Sequence, residues 1–116
     1  MDQEILNLET LKTLQELSDD DDAGFLREII RTYLENTESR LADARRAHGD
    51  GNAAELAVIA HTIKGSSLNV GAVGLAGLMQ ALERDGRKGA VPDAGRLHSA
   101  EVEFARVKSA LARYLA

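Results

Sequence analysis

Apolar residues recur at spacings of three and four along most of this chain, the pattern of helices that bury one face. The pattern predicts a short helix over about 9–17 and four longer helices over about 23–47, 53–69, 73–85 and 93–115. A single proline and little clustering of β-branched residues also favour helix over strand. Four long helices with short links predict an all-α fold, an antiparallel up-down four-helix bundle with a short extra N-terminal helix. With 116 residues, the chain is expected to form one domain over 1–116.

Two local features support these helix limits. Asn52 followed by Glu55 fits a capping box that opens the helix over about 53–69. The acidic run Asp19–Asp22 suits the positive N-terminal end of the helix that follows it. The run does not fit an EF-hand loop, because Ala23 and Ile30 stand where calcium needs oxygen ligands.

Composition removes several classes of function. The chain has no cysteine, so it has neither disulfides nor thiolate metal sites, which suits a reducing cytosol. A net charge of −5 and only 3% aromatic residues disfavour nucleic-acid binding. No apolar run approaches the ~20 residues that span a bilayer, and the first residues lack the basic character of a signal peptide. We therefore expect an acidic cytoplasmic domain without direct membrane contact.

Resident metals and nucleotides are also not expected. A di-iron or di-manganese bundle needs Glu-x-x-His pairs. The residues three positions before the three histidines are instead Arg45, Val58 and Gly95. No glycine-rich phosphate-binding loop occurs either. The sequence thus predicts no metal site and no cofactor of its own.

The stretch Ala60–Val70 differs from an ordinary core helix, because it carries a histidine, a lysine and a glycine. On a helical wheel, the core-type residues within about 60° of Ile63 are Leu56, Ile59, Ala60, Ser67 and Val70. His61 lies about 160° from Ile63 and is expected in solvent. The outward residues around it are small or apolar, where an ordinary surface carries charges: Ala57, Val58, Gly65 and Leu68. An exposed histidine within an apolar rim indicates a surface that docks a protein partner.

The chemistry around His61 suits a phosphoryl group. A neutral imidazole nitrogen is a good nucleophile, and Lys64 at i+3 can place its ammonium beside an added negative charge. Gly65 costs about 1 kcal/mol relative to Ala inside a helix, and it would leave room for a bulky group or a partner's backbone. If the chain turns near Gly71, Glu83 returns alongside His61. There it is either the acceptor of the Nδ1–H bond or an ordinary surface carboxylate.

The stretch Ala60–Ser67, followed by Val70-Gly71 and Leu82-Glu83, resembles the signature of histidine-containing phosphotransfer (HPt) domains of bacterial multistep phosphorelays. The core of that signature is His-x-x-Lys-Gly-Ser/Ala-Ser/Ala. It lies on the second long helix of a four-helix bundle, before a glycine turn and a helix with Gln or Glu at the position of Glu83. The resemblance covers nearly the full chain, because members commonly add a short N-terminal helix.

The resemblance implies roles for particular residues. His61 would be the phospho-accepting residue, Lys64 would steady the phosphoryl group, and Gly65 would give access. Glu83 would take the place of a residue that hydrogen-bonds the histidine, which is Gln in many members. The resemblance also implies no kinase or ATPase activity, and transfer between receiver-domain aspartates with Mg²⁺ held by the receiver.

It further implies partners and location. The expected partners are response-regulator receiver domains or a hybrid sensor histidine kinase, with this protein a monomer. The chain could also be the cytoplasmic C-terminal domain of a membrane-bound hybrid kinase. Three alternatives stay open: a helical adaptor without phosphorylation, a dimerisation-and-phosphotransfer domain of a histidine kinase, and a helical metal protein. Four intramolecular stripes without an ATP-binding domain argue against the second alternative.

Overall fold

The chain folds into a bundle of helices, as seen in a computed structural model that describes residues 5–17 and 23–115. The acidic run Asp19–Asp22 lies outside the described residues. The helices are α1 (Leu8–Leu17), α2 (Ala23–Gly49), α3 (Ala53–Asn69), α4 (Val73–Arg87) and α5 (Ala94–Leu111), and a 3₁₀ turn covers Ala112–Tyr114. Helix α2 packs on α3, α3 on α4, α4 on α5 and α5 on α2. The predicted all-α four-helix bundle with a short N-terminal helix is confirmed.

The last helix is shorter than the predicted range of about 93–115. Asp93 is its N-cap: the side-chain Oδ1 accepts the Arg96 amide at 3.1 Å, so the helix begins one residue later. At the other end the chain tightens into a 3₁₀ turn, in which the Leu115 amide donates to the Ala112 carbonyl at 3.0 Å. Such tightening satisfies backbone groups that a helix end leaves without partners.

Helices α2 and α4 each extend two residues beyond the predicted ends at 47 and 85. The reason is the position of the left-handed backbone turn. Positive φ occurs at Gly51 (69°) and Gly89 (82°), which follow the two helices, whereas Gly49 and Gly86 remain inside them. Glycine permits a helix stop only where the backbone adopts that conformation.

Helix α1 covers one end of the bundle. Leu11 on α1 and Leu6 just before it are buried in the same core as the long helices. The Asn7 amide donates to the carbonyl of Gly71, in the turn between α3 and α4, at 2.6 Å. Gly71 has φ +79°, and a Cβ there would meet the Asn7 carbonyl oxygen at 2.6 Å. The N-terminal segment and the α3–α4 turn are therefore fitted to each other.

Two contacts fix α3 between its neighbours. On one side, the buried hydroxyls of Tyr33 on α2 and Ser67 on α3 are hydrogen-bonded at 2.8 Å. On the other side, α4 approaches so closely that a Cβ on Gly86 would lie 2.7 Å from the Ala53 carbonyl oxygen and 2.9 Å from the Ala57 Cβ. This close approach brings the side chains of α4 within reach of the outward face of α3.

Candidate functional site

Helix α3 holds His61 on its outward face. The helix begins at a formed cap, where Asn52 Oδ1 accepts the Glu55 amide at 3.1 Å and Asn52 Nδ2 donates to Glu55 Oε2 at 3.1 Å. Ile63 is fully buried, as the wheel predicts. Two residues before it, the His61 side chain is 60% exposed. Burial of the opposite face of the helix thus places the imidazole in solvent.

A buried carboxylate on α4 orients that imidazole. His61 Nδ1 lies 3.0 Å from Glu83 Oε2, and the Glu83 side chain is only 6% exposed. An ionised carboxylate can only accept hydrogen bonds, so Nδ1 carries the proton and Nε2 keeps its lone pair. Of the two placements that the sequence left open for Glu83, the hydrogen-bonded one is observed.

Two cations also bind Glu83. Lys64 Nζ donates to Glu83 Oε1 at 2.7 Å, and Arg87 Nη2 lies 2.5 Å from Oε2. The hydrogen bond from Lys64 lowers the pKa of the Glu83 carboxyl below its usual value of 4.5. Burial opposes this effect, and smaller contributions from His61 and Arg87 support it. Glu83 is therefore ionised at neutral pH, as its role as an acceptor requires.

This network has the chemistry of a nucleophile that receives an anionic group. The imidazole presents Nε2 to solvent, in the tautomer that Glu83 selects. Lys64 and Arg87 together with Glu83 leave one surplus positive charge beside the ring. Charge-assisted hydrogen bonds from such cations stabilise added oxygen anions. The arrangement can therefore hold a phosphoryl group on Nε2.

Open space adjoins the histidine at Gly65. A Cβ built on Gly65 would meet no atom of the described residues within 4 Å beyond its own helix backbone and chain neighbours. The glycine is exposed, on the same outward half of α3 as His61. Core packing therefore gives no reason for a residue that weakens a helix.

The apolar rim predicted around His61 is only partly exposed. Val58 and Leu68 are both more than half exposed, as expected. The predicted outward placement of Ala57 is wrong, since this residue is only 5% exposed, whereas its part in partner binding stays a prediction. A wheel treats a helix alone, whereas here α4 covers Ala57 through the close approach at Gly86. Ala57 and Val58 both line a cavity beside His61, with Ala57 buried and Val58 exposed.

Sequence reasoning missed two features of this face. Arg87 lies four residues after Glu83, and that i,i+4 spacing could have predicted the ion pair. The second feature is a groove of about 320 Å³ between α2 and α3, with the apolar side chains Phe25, Ile29 and Val70 among its lining. Phe25 is partly exposed although it belongs to the apolar stripe of α2. This exposure was not predictable, because the apolar stripe of α2 is wider than the part of α2 that α3 covers.

Residues 5–17 and 23–115 contain neither a candidate membrane span nor a candidate metal site. Among the helices in these ranges, none is both long enough and apolar enough to cross a bilayer. The same ranges contain no group of three or more His, Asp or Glu side chains that could hold a metal ion.

Comparison with known proteins agrees with the geometry. The sequence model of the Hpt domain matches residues 28–116. Among solved structures, histidine-containing phosphotransfer protein B (HptB) from Pseudomonas aeruginosa PAO1 is similar, with a TM-score of 0.85 and 33% sequence identity. That similarity covers 94% of this chain and 92% of the other. A comparison with curated protein sequences gives no match. On the family match over most of its length, this chain belongs to the HPt domain family, the phosphotransfer intermediates of two-component signalling.

Proposed function

We propose that His61 accepts a phosphoryl group from the aspartyl phosphate of one receiver domain and passes it to the aspartate of another. The observation that carries this proposal is the hydrogen bond from His61 Nδ1 to the buried Glu83 carboxylate, which leaves Nε2 free and exposed. The chain itself acts as a monomeric relay in the cytoplasm, without kinase or ATPase activity.

In the accepting step, the lone pair of Nε2 attacks phosphorus in line with the bond to the aspartyl oxygen. The Nε2–P bond forms as the P–O bond breaks, and the aspartate leaves with the electron pair as a carboxylate. The proton on His61 Nδ1 stays in its hydrogen bond to Glu83, which balances the positive charge that develops on the ring. The second receiver reverses these bond changes, and its aspartate takes the phosphoryl group from Nε2.

The cations of the network stabilise the transferred group. Lys64 and Arg87 are anchored on Glu83 next to the imidazole, so their charges are already in place before the phosphoryl group arrives. Preplaced charge avoids reorganisation during the reaction and is therefore effective at lowering a barrier. The receiver is expected to bring Mg²⁺, which would neutralise charge on the phosphoryl oxygens during transfer.

The receiver docks on the apolar surface around His61. Val58 and Leu68 lie on the outward half of α3, and the groove with Phe25 adjoins the same helix on its α2 side. Apolar side chains of this kind stabilise a protein interface when they are removed from water. Gly65 allows the receiver's backbone or the phosphoryl group to approach the ring closely.

A phosphotransfer assay with a matched histidine control tests the proposal. The protein is incubated with Mg²⁺ and radiolabelled phosphorylated receivers from the same organism, and label on the protein is measured. We expect label on wild type and on His98→Gln, because His98 lies exposed on α5. We expect none on His61→Gln.

Labelling of His61→Gln at the wild-type rate would show that another residue is the acceptor. If no receiver labels the wild type, the chain is an adaptor and not a relay. The acid-labile, alkali-stable character of phosphohistidine checks the chemical form of the label on wild type. A label with the opposite stability would contradict the proposed Nε2–P bond.

A further inference from the structure

A basic cleft lies next to the His61 network, on the α4 side. It has a volume of about 320 Å³, and its lining residues are Lys64, Gln80, Glu83, Arg84, Arg87 and Lys88. Four of these side chains are cationic and one is a carboxylate, on a chain whose net charge is −5. The cleft therefore concentrates positive charge on a protein that is otherwise strongly acidic.

Ion pairs within the fold account for only half of these cations. Lys64 and Arg87 are bound to Glu83. Arg84 and Lys88 are exposed, and within residues 5–17 and 23–115 neither forms an ion pair. The nearby carboxylate of Asp85 is instead paired with Arg96 on α5, at 3.3 Å.

The helix dipole accounts for only part of the stability of this cluster of cations. Arg84 and Arg87 both lie in the last turn of α4, where a cation interacts favourably with the helix dipole, and Lys88 is the C-cap of the helix. Arg84 and Lys88 stand at i,i+4, a spacing at which like charges repel each other. Arg84 and Lys88 therefore repel each other unless an acidic group binds beside them.

We propose that the basic cleft is an electrostatic docking surface for acidic side chains of the receiver, next to its phosphorylated aspartate. This inference rests on the proposed function, because it assigns a second contact to the same partner. A receiver that carries Mg²⁺ needs carboxylates to hold the ion, so the surface around its phosphoryl group is acidic. The basic cleft shares Lys64 and Glu83 with the His61 network, so an acidic surface docked at His61 would lie beside the cleft.

In this proposal the basic cleft and the apolar rim make different contributions to docking. Val58 and Leu68 supply apolar contact that lacks direction, whereas the cations on α4 favour one orientation of an acidic partner. Opposite charges also raise the rate of encounter, since they steer diffusion at separations within the Debye length. The cleft therefore selects among receivers by the charge beside their aspartate.

The test reverses the two unpaired charges and compares a control on another helix. Arg84→Glu/Lys88→Glu is compared with Arg106→Glu/Lys108→Glu on α5, which changes the net charge by the same amount. The association rate with a receiver that labels the wild type, or with any same-organism receiver that binds it, is measured by stopped-flow fluorescence. Measurements are made in the wild-type and His61→Gln backgrounds, at low salt and at about 1 M salt. Circular dichroism confirms folding of each variant.

At low salt we expect Arg84→Glu/Lys88→Glu to lower the association rate about tenfold in both backgrounds, because steering contributes factors of 10 to 1,000. The control should stay within about twofold of wild type. At about 1 M salt, where the Debye length is ~3 Å, the difference between the variants should largely vanish. An equal effect of both variants, or a loss that salt leaves unchanged, would overturn the proposal.

Two further outcomes separate this inference from the rest. If inorganic phosphate shifts the side-chain NMR signals of Arg84 and Lys88 while charge reversal leaves receiver association unchanged, the cleft binds a free anion and the proposal is wrong. If wild type is not labelled but the association rates differ as expected, the proposed function fails and the docking surface stands. Association in the His61→Gln background decides this without reference to phosphotransfer.

Discussion

Glu83 orients the His61 imidazole, and protonation of its carboxylate should lower the free energy of unfolding. Its folded-state pKa lies below the ordinary value of 4.5, chiefly because of the Lys64 hydrogen bond. A lowered folded pKa means that the ionised carboxylate stabilises the fold above the unfolded-state pKa. That stabilisation is lost as the pH falls through 4.5 and the lower folded value. We predict that the difference in unfolding free energy between wild type and Glu83→Gln is constant from pH 7 to about 5 and shrinks below that.

Urea unfolding at a series of pH values measures this difference, and effects of other carboxylates cancel in the subtraction. Lys64→Met tests the cause, because removal of the principal donor should make the difference less dependent on pH. A difference between wild type and Glu83→Gln that is unchanged from pH 7 to 3 would mean that the carboxylate is not held by these cations.

Gly65 should show opposite effects on stability and on function. A Cβ has open space there, so Gly65→Ala should raise the unfolding free energy by roughly 0.5–1 kcal/mol through helix propensity alone. The same methyl group occupies the approach to His61, and we predict that phosphotransfer slows about tenfold or more. Gly77→Ala is the matched control, because Gly77 is an exposed glycine of α4 at which an added Cβ would also meet nothing within 4 Å beyond its own helix backbone and chain neighbours. Equal transfer rates for Gly65→Ala and Gly77→Ala would contradict the prediction that Gly65 keeps the approach to His61 open.

At the scale of helices, the hydrogen bond between His61 and Glu83 depends on how closely α3 and α4 approach each other. A Cβ on Gly86 would lie 2.9 Å from the Ala57 Cβ and 2.7 Å from the Ala53 carbonyl oxygen, so Gly86→Ala must push the helices apart. We predict a loss of about 1–3 kcal/mol in unfolding free energy, the usual cost of overpacking. The longer distance from Glu83 to His61 should weaken the tautomer preference, which ¹⁵N chemical shifts of the imidazole report.

The control for this prediction is Gly77→Ala on the same helix, which should raise the unfolding free energy by roughly 0.5–1 kcal/mol, as Gly65→Ala should. Changes of opposite sign in the unfolding free energy of Gly86→Ala and Gly77→Ala would show that spacing between helices, and not helix propensity, determines the effect at Gly86. A stable Gly86→Ala protein with an unchanged imidazole spectrum would contradict this account of the helix contact.

The elements themselves were largely predictable, whereas contacts between them were not. Hydrophobic period places α3 and turns His61 outward, because both depend on one helix at a time. The burial of Ala57 and the pairing of Arg87 with Glu83 depend on the distance and register between α3 and α4. The close approach depends on Gly86, where a Cβ would clash with α3. In the sequence alone, this glycine indicates only that a helix ends nearby. The exposed position of His61 was therefore predictable from one helix, whereas the charge network around it depends on contacts between two helices.

For the whole molecule, an elongated shape makes the ends of the bundle important. The principal extents are 47 × 24 × 20 Å, and the radius of gyration of 14.6 Å exceeds the about 13 Å that is typical for this chain length. A narrow bundle has a thin core, and its ends are open to water unless something covers them. Residues 5–11 cover the end at the α3–α4 turn, through Leu6, Leu11 and the Asn7–Gly71 hydrogen bond.

Two leucines on α1 test whether this cover stabilises the entire fold. Leu11 is 1% exposed and Leu17 is 72% exposed. The same leucine-to-alanine change at these two positions of α1 therefore differs mainly in burial and little in helix propensity. We predict that Leu11→Ala lowers the unfolding free energy by about 2–5 kcal/mol, the range for a buried leucine, and that Leu17→Ala changes it by less than about 0.5 kcal/mol. Chemical denaturation measures both. Phosphotransfer by folded Leu11→Ala at low temperature should match wild type, because the N-terminal segment meets the bundle at Gly71, about 15 Å along α3 from His61. Equal stability of the two variants would mean that α1 does not close the bundle in solution.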